Sequence, residues 1–115
     1  MFVINGLAVI NSNELVITDA QSALDLIATV GHYHHTISLI IPKAAVTESF
    51  FKLSTGVAGE VLQKFSNYGA RIAIVGDFSG YDSKPLQDFI FECNNGCAVF
   101  FAATEAEAIF KLSKV

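Results

Sequence analysis

The sequence predicts an α/β domain with a mixed, mostly parallel β-sheet, an N-terminal β-hairpin and about four helices. Apolar runs of strand length alternate with amphipathic runs along the chain, which is the pattern of parallel strands joined by helical crossovers. Asn5-Gly6 lies between two β-rich runs and predicts a tight turn, because both positions of a type I′ turn need positive φ. The 115 residues leave room for one core, so a single domain is expected over residues 1–115.

The region after the hairpin predicts one helix and one buried strand. Leu15 to Ile17 is a short β-prone stretch that extends or follows the second strand. The run "TDAQSALDLIATV" predicts a helix with Thr18 or Asp19 as its N-cap and Gly31 as its stop. The run "TISLIIP" is almost wholly apolar and ends at Pro42, which predicts a central strand covered on both faces.

The next segment predicts a single helical turn and then the second main helix. Thr47 and Glu48 start the turn, which carries Phe50 and Phe51 inward. The second helix is expected from about Gly56 to Tyr68, before a stop at Gly69. Its apolar face contains Val57, Val61, Leu62 and Phe65.

The last third of the chain predicts two more strands, each followed by a helix. "RIAIVGDFS" is a buried strand that ends in Gly76-Asp77, and "CAVFFA" is another apolar strand. The helix between them starts with Ser83 as its cap and Pro85 in its first turn, and "NNG" ends it. Thr104 and Glu107 have the spacing of a capping box and predict the start of the last helix.

Composition and charge argue against several classes of function. The formal net charge is −4, and the seven Lys and Arg residues are scattered, so nucleic acid is a poor candidate partner. No apolar run reaches the length of a membrane span, and the N-terminus lacks the features of a signal peptide. We therefore expect a cytoplasmic protein without a membrane partner, in which Cys93 and Cys97 stay unpaired. No cofactor motif is present.

The order of elements resembles the STAS domain of bacterial anti-sigma-factor antagonists. The chain also resembles a bacterial family catalogued as domain of unknown function DUF4180, through "DAQSALDLIATV", "TGVAGEVLQKFSNY", "AIVGDFSGYDSKPLQDFI" and "TEAEAI". That family implies no activity. The STAS resemblance implies that a hydroxyl at the start of the second helix is phosphorylated by a partner kinase, and "LSTGVAG" presents Ser54, Thr55, Gly56 and Val57 in matching order.

The hydroxyls of Ser54 and Thr55 have two open interpretations. A helix beginning at Gly56 would stabilise a phosphate or another anion at its N-terminus. The same two residues are also preferred N-caps, which need no further function. Ser54, Thr55 and Gly56 are therefore binding or switch candidates.

Asp77 and a histidine cluster are the other candidates. Asp77 follows the carboxyl end of a buried strand, where ligands of open α/β sheets usually bind, although a turn carboxylate would explain it equally well. His32, His34 and His35 suggest a metal site or an exposed, pH-sensitive loop after the first helix. We expect Ser54, Thr55 and Asp77 to share one edge of the sheet if the strands before them are adjacent.

The leading hypothesis is a non-enzymatic, STAS-like module that binds a protein partner or a small anion at Ser54, Thr55, Gly56 and Asp77. The alternative is a small enzyme or metal-binding protein that uses Asp77 with His32, His34 or His35. The chain contains ten Phe residues, so an apolar patch near Phe50, Phe51 or Phe110 could also support a homodimer.

Overall fold

A computed structural model describes residues 2–4, 6–12, 14–34 and 37–113 of the chain. Its five strands are β1 (Phe2–Ile4), β2 (Leu7–Val9), β3 (Ser38–Pro42), β4 (Arg71–Val75) and β5 (Val99–Ala102). Its four α-helices are α1 (Ala20–His34), α2 (Val57–Asn67), α3 (Lys84–Asn94) and α4 (Glu105–Ser113). Three short 3₁₀ turns, Lys43–Ala45, Glu48–Phe51 and Leu53–Thr55, connect β3 to α2.

The strands lie in the sheet in the same order as in the sequence, β1-β2-β3-β4-β5. β1 pairs with β2 in the antiparallel direction, and β2 to β5 are parallel. Crossovers of one hand between successive strands must all pass over the same face, and α1, α2 and α3 accordingly share one core with that face. α4 makes no crossover and packs on the other face through Ala108 and Leu112. The mixed, mostly parallel α/β class is therefore confirmed.

The strands predicted to be buried are buried. β3 is the middle strand, and its residues Leu39, Ile40 and Ile41 are all inaccessible to solvent. β5 is an edge strand, yet its four residues are also buried, because α3 covers one of its faces and α4 the other. Among the described helices, none is long and apolar enough to cross a bilayer.

The predicted caps form by local hydrogen bonds. The Asp19 carboxylate accepts a hydrogen bond from the Ser22 N–H at 2.8 Å, which identifies Asp19 as the cap of α1. The Ser83 hydroxyl accepts from Leu86 at the start of α3. At the start of α4 the Thr104 hydroxyl accepts from the Glu107 N–H. The α2 stop is also confirmed, since Gly69 has a φ of +62°.

The predicted end of α1 differs from the structure, whereas the predicted hairpin agrees with it. The stop at Gly31 is wrong, because α1 continues to His34. A glycine inside a helix costs only about 1 kcal/mol, which is small enough for the helix to continue through it. The hairpin is confirmed by the pairing of β1 with β2, and Gly6 has a φ of +77°; Asn5 lies outside the described residues.

Candidate binding site at the carboxyl ends of the strands

A groove of about 740 Å³ lies at the carboxyl ends of β3 and β4. We call it the Asp77 groove; it is lined by Leu15, Pro42, Lys43, Ala44, Val46, Thr47, Glu48, Val75, Gly76 and Asp77. The aliphatic side chains form its apolar part and the charged side chains its polar part. Leu15 is 56% exposed, so a large apolar side chain stays in water at this groove.

Backbone hydrogen bonds hold Leu15 in this position. The N–H groups of Val16 and Ile17 donate to the Ala45 carbonyl at 2.7 and 3.0 Å, and Thr47 N–H donates to the Ile17 carbonyl at 2.9 Å. Ile17 thereby forms a parallel bridge with Val46. The stretch predicted to extend or follow β2 thus lies beside the turns after β3, and it presents Leu15 from a fixed backbone.

Beside the groove, the ammonium group of Lys43 lies among two aromatic rings and a carboxylate. Lys43 Nζ is 4.9 Å from the centroid of the Tyr81 ring, 5.7 Å from that of Phe51 and 3.8 Å from Glu48 Oε1. The Tyr81 hydroxyl donates to the same Glu48 carboxylate, at 3.0 Å from Oε2. The two rings are stacked with centroids 5.2 Å apart. We call Phe51, Tyr81, Glu48 and the nearby Asp77 the lysine cage.

The cage favours the charged form of the lysine. Interaction with the Tyr81 hydroxyl raises the pKa of Lys43 above its usual 10.5; partial burial opposes this effect, and the charges of Glu48 and Asp77 add to it. Burial also raises the pKa of Tyr81. Both side chains therefore keep their protons at neutral pH, and the cage holds a cation against two carboxylates.

Gly76 makes room for the lysine side chain. A Cβ atom at position 76 would lie 2.6 Å from Lys43 Cβ and 3.1 Å from Lys43 Cδ. Such contacts are too short, and the nearer one involves the fixed base of the side chain rather than its flexible tip. Only glycine at the end of β4 lets the stem of Lys43 pass across the sheet edge into the cage.

Asp77 is exposed, and its own turn engages its carboxylate. Asp77 Oδ1 accepts from the Ser79 N–H at 2.9 Å and from the Ser79 hydroxyl at 2.6 Å. These hydrogen bonds lower the pKa of Asp77 below its usual 3.8, with a smaller contribution from the Lys43 charge. The geometry is that of an Asx turn, which is one of the two interpretations that the sequence leaves open.

The α2 candidates have different surroundings. Gly56, in the left-handed conformation with a φ of +81°, is the N-cap of α2 and has no side chain that could cap the helix. The N-cap position is therefore Gly56 rather than Ser54 or Thr55, although the Thr55 hydroxyl still bonds the first N–H group of α2. The Thr55 hydroxyl lies 2.7 Å from the Ser49 carbonyl and 2.8 Å from the Lys52 carbonyl, which share its one hydrogen. It also accepts from the Val57 N–H at 3.3 Å, so its hydrogen bonds stabilise the turns before α2.

The candidates line separate cavities. Ser54 is exposed and lines a second groove of about 470 Å³, the Ser54 groove, together with Phe51 and Tyr81. Gly56 lines a third groove between α1 and α2. Glu48 lines both the Asp77 groove and the Ser54 groove. The Asp77 groove and the Ser54 groove are therefore neighbours at the lysine cage, with Asp77 in the lining of the first and Ser54 in that of the second.

Comparison with known proteins gives one result. The family model described as Domain of unknown function (DUF4180) matches residues 5–112. The chain belongs to this family. No curated protein and no solved structure matches the chain. Membership of DUF4180 brings no activity with it, so the site has to be interpreted from its own geometry.

For this DUF4180 domain, the alternative based on Asp77 and histidines finds no support. α1 contains His32 and His34 and ends before the amino end of β3, whereas Asp77 follows the carboxyl end of β4. Because β3 and β4 are parallel, these ends lie at opposite edges of the sheet. His35 lies outside the described residues. Within the described ranges, no three His, Cys, Asp or Glu side chains could hold a metal ion.

The burial of the aromatic residues separates the three Phe candidates for an apolar patch. Phe50 and Phe51 are buried, which confirms the predicted inward turn and leaves Phe110 as the exposed candidate. Phe110 on α4 is 63% exposed. The sequence prediction missed Lys43 and Glu48 as site residues; the available signal was a lysine directly after the proline that ends a central strand.

Proposed function

We propose that this DUF4180 domain is a non-enzymatic, STAS-like module of the cytoplasm that binds a protein partner at the Asp77 groove. The observation that carries the proposal is the groove itself, because it combines exposed Leu15 with the charged groups of Lys43, Glu48 and Asp77. An apolar centre with a polar rim is the usual arrangement of a protein-binding surface. The position of the groove supports the proposal too, since ligands of open α/β sheets bind at the carboxyl ends of the strands.

The fixed backbone around Leu15 is a further argument. Binding costs less conformational entropy when the contacting segment is already ordered. The hydrogen bonds from Val16, Ile17 and Thr47 order this segment before any partner arrives. Leu15 is therefore the side chain that we expect to pack against the partner's surface.

We propose Ser54 as the residue through which the complex would be switched. Its exposed hydroxyl lines the groove next to the Asp77 groove, whereas the Thr55 hydroxyl already bonds two carbonyl groups. A phosphate on Ser54 would add negative charge to a groove that Glu48, Asp82 and Lys52 also line. Repulsion from the two carboxylates and attraction to the Lys52 ammonium would rearrange this groove and so disturb the neighbouring partner surface.

Photo-crosslinking tests the partner-binding role. A photoreactive phenylalanine analogue replaces Leu15 in the full chain, which is expressed in its own host and irradiated. The matched control carries the analogue at Phe91, which is exposed on α3. We expect a discrete crosslinked species from position 15 and none from position 91. Identical patterns from both positions, or no species from either, would reject the proposal.

Phosphopeptide mapping of the same host protein tests the switch. We expect phosphate on Ser54, loss of that phosphate in Ser54→Ala, and its retention in Thr55→Ala. Phosphate on Thr55 instead would contradict the assignment of the switch to Ser54. Unmodified protein under all growth conditions would remove the switch and leave the crosslinking result to decide on partner binding.

A further inference from the structure

The lysine cage has the composition of a cation-binding site whose occupant is a side chain of the same chain. Two stacked aromatic rings and a carboxylate surround the Lys43 ammonium group at 4.9, 5.7 and 3.8 Å. Ring centroids within about 6 Å of a cation attract it through the negative face of the ring. Glu48 pairs with this single ammonium group and Asp77 lies near enough to act on it through its charge, so the cage keeps an excess of negative charge.

Two grooves reach the cage, although Phe51 itself is only 3% exposed. The Asp77 groove reaches it along Lys43, and the Ser54 groove reaches it along Phe51 and Tyr81. The side chain of Glu48 is 70% exposed and that of Lys43 is 29% exposed. The ion pair with exposed Glu48 adds little to folding stability, and a second cation would restore the contacts with the rings, so replacement of the Lys43 ammonium by another cation costs the fold little.

We propose that the lysine cage binds an Arg or Lys side chain of the partner protein, and that Lys43 is its internal competitor. The partner's cation takes the place of the Lys43 ammonium beside the stacked rings of Tyr81 and Phe51 and pairs with Glu48, while Asp77 adds a nearby negative charge. Lys43 then moves along the Asp77 groove into water. The partner segment that fits this surface is basic and carries an apolar side chain that meets Leu15.

The proposal deepens the proposed function, since it names the chemistry of the partner, and it rests on that function for its biological meaning. The chemistry of the cage can be tested without any partner. An internal competitor lowers the apparent affinity of an external ligand by the fraction of time that it occupies the site. Removal of the Lys43 charge must therefore reveal cation binding.

The test is an NMR titration of the full chain with N-acetylarginine amide. Its neutral analogue N-acetylcitrulline amide serves as the control ligand. Backbone N–H signals of Phe51 and Ser79 report on the cage. In Lys43→Met we expect saturable shifts with the arginine probe, binding about tenfold weaker in the wild type, and no saturable shift with the citrulline probe.

Three variants define the site. Lys52→Met removes an exposed lysine of the Ser54 groove and should behave as the wild type does. Lys43→Met/Glu48→Gln and Lys43→Met/Tyr81→Leu should each lose the binding that Lys43→Met gains. Lys43→Gln replaces Lys43→Met if the latter loses its dispersed spectrum.

Several results would overturn the inference. These are the absence of saturable shifts in folded Lys43→Met or Lys43→Gln, equal shifts with the citrulline probe, equal gains in Lys52→Met, and gains that survive both double substitutions. The result is independent of the crosslinking experiment. A partner found through position 15 without cation binding would reject only the cage, and cation binding without any crosslinked partner would reject only the proposed function.

Discussion

The start of α2 and the end of β4 are the two regions that the sequence marks for binding, and they use their polar groups differently. At the start of α2 the Thr55 hydroxyl bonds the carbonyls of Ser49 and Lys52, at most six residues away. At the end of β4 the Tyr81 hydroxyl bonds the carboxylate of Glu48, 33 residues earlier in the chain. The Thr55 hydrogen bonds stabilise a local turn. The Tyr81–Glu48 hydrogen bond instead joins two loops that are far apart in the sequence.

The difference teaches how such motifs should be weighed. Serine and threonine before a helix have a local structural use that their sequence already explains. The half-buried Lys43 and Tyr81 and the exposed carboxylate of Glu48 are brought together by the sheet and have no comparable local use, and an ion pair with an exposed partner stabilises folding little. The polar cluster of long sequence range is therefore the better candidate for function.

Gly76→Ala, at the end of β4, is expected to lower the free energy of unfolding more than the other variants of these two regions. The new Cβ would lie 2.6 Å from Lys43 Cβ, so the backbone or the lysine must shift, and overpacking of this kind costs about 1–3 kcal/mol. The free energy of unfolding from urea denaturation measures the loss. NMR shifts of Phe51 and Ser79 should change as well, because the displaced lysine leaves the cage.

Gly56→Ala is the matched control. Position 56 has open space around it but a φ of +81°, so alanine there is strained by about 1–2 kcal/mol without any clash. Its unfolding free energy should fall while the cage signals stay in place. Unchanged cage signals in Gly76→Ala would contradict the role given to Gly76.

Thr55→Ala should have the next largest effect. It removes the hydroxyl hydrogen shared by the Ser49 and Lys52 carbonyls, which should lower the free energy of unfolding by about 1 kcal/mol. Ser54→Ala changes an exposed side chain and should stay within about 0.5 kcal/mol of the wild type. Equal losses in the two variants would show that the local hydrogen bonds of Thr55 do not set the stability of this turn.

Tyr81→Phe should lower the pKa of Lys43 in the lysine cage. The Tyr81 hydroxyl is the main cause of the raised pKa, so its removal should bring the pKa of Lys43 back toward 10.5. A raised pKa in the folded state adds stability below 10.5 that is lost as the pH rises through the folded value. The stability difference between wild type and variant should therefore shrink in strong alkali.

A titration of the Lys43 Cε signal by NMR measures this shift. Tyr68→Phe, at the end of α2, is the control and should leave the Lys43 titration unchanged. A Lys43 pKa that does not fall in Tyr81→Phe would mean that the carboxylates alone hold the ammonium group.

Ser79→Ala should have the smallest effect of these variants, a change in the pKa of Asp77. Two hydrogen bonds from Ser79 lower the pKa of Asp77, and the side-chain bond contributes most, so the variant's Asp77 pKa should rise toward 3.8. A lowered pKa adds stability above 3.8 that is lost as the pH falls through the folded value. Carboxyl carbon NMR measures the shift, with Ser66→Ala on α2 as control; an unmoved Asp77 pKa in Ser79→Ala would contradict the role given to the Ser79 hydroxyl, since the backbone bond of the Asx turn remains in the variant.

The sequence by itself determined the order and kind of the elements. Apolar periodicity predicts β3, β4 and α2, and residues within three positions of one another cap the helices, as the bonds from Asp19 to Ser22 and from Ser83 to Leu86 show. These features depend on neighbours along the chain, and a local pattern is sufficient to predict them. The stop at Gly31 failed because glycine permits a helix end without requiring one.

Only the tertiary structure decided which candidates meet. The register of β3 with β4 pairs Pro42 with Val75, so the residues that follow, Lys43 and Gly76, come together at the sheet edge. The turns after β3 then carry Glu48 toward Tyr81 and leave Ser54 in a separate groove. These positions follow from strand register and loop paths between residues more than 30 apart, and no local pattern in the sequence encodes them.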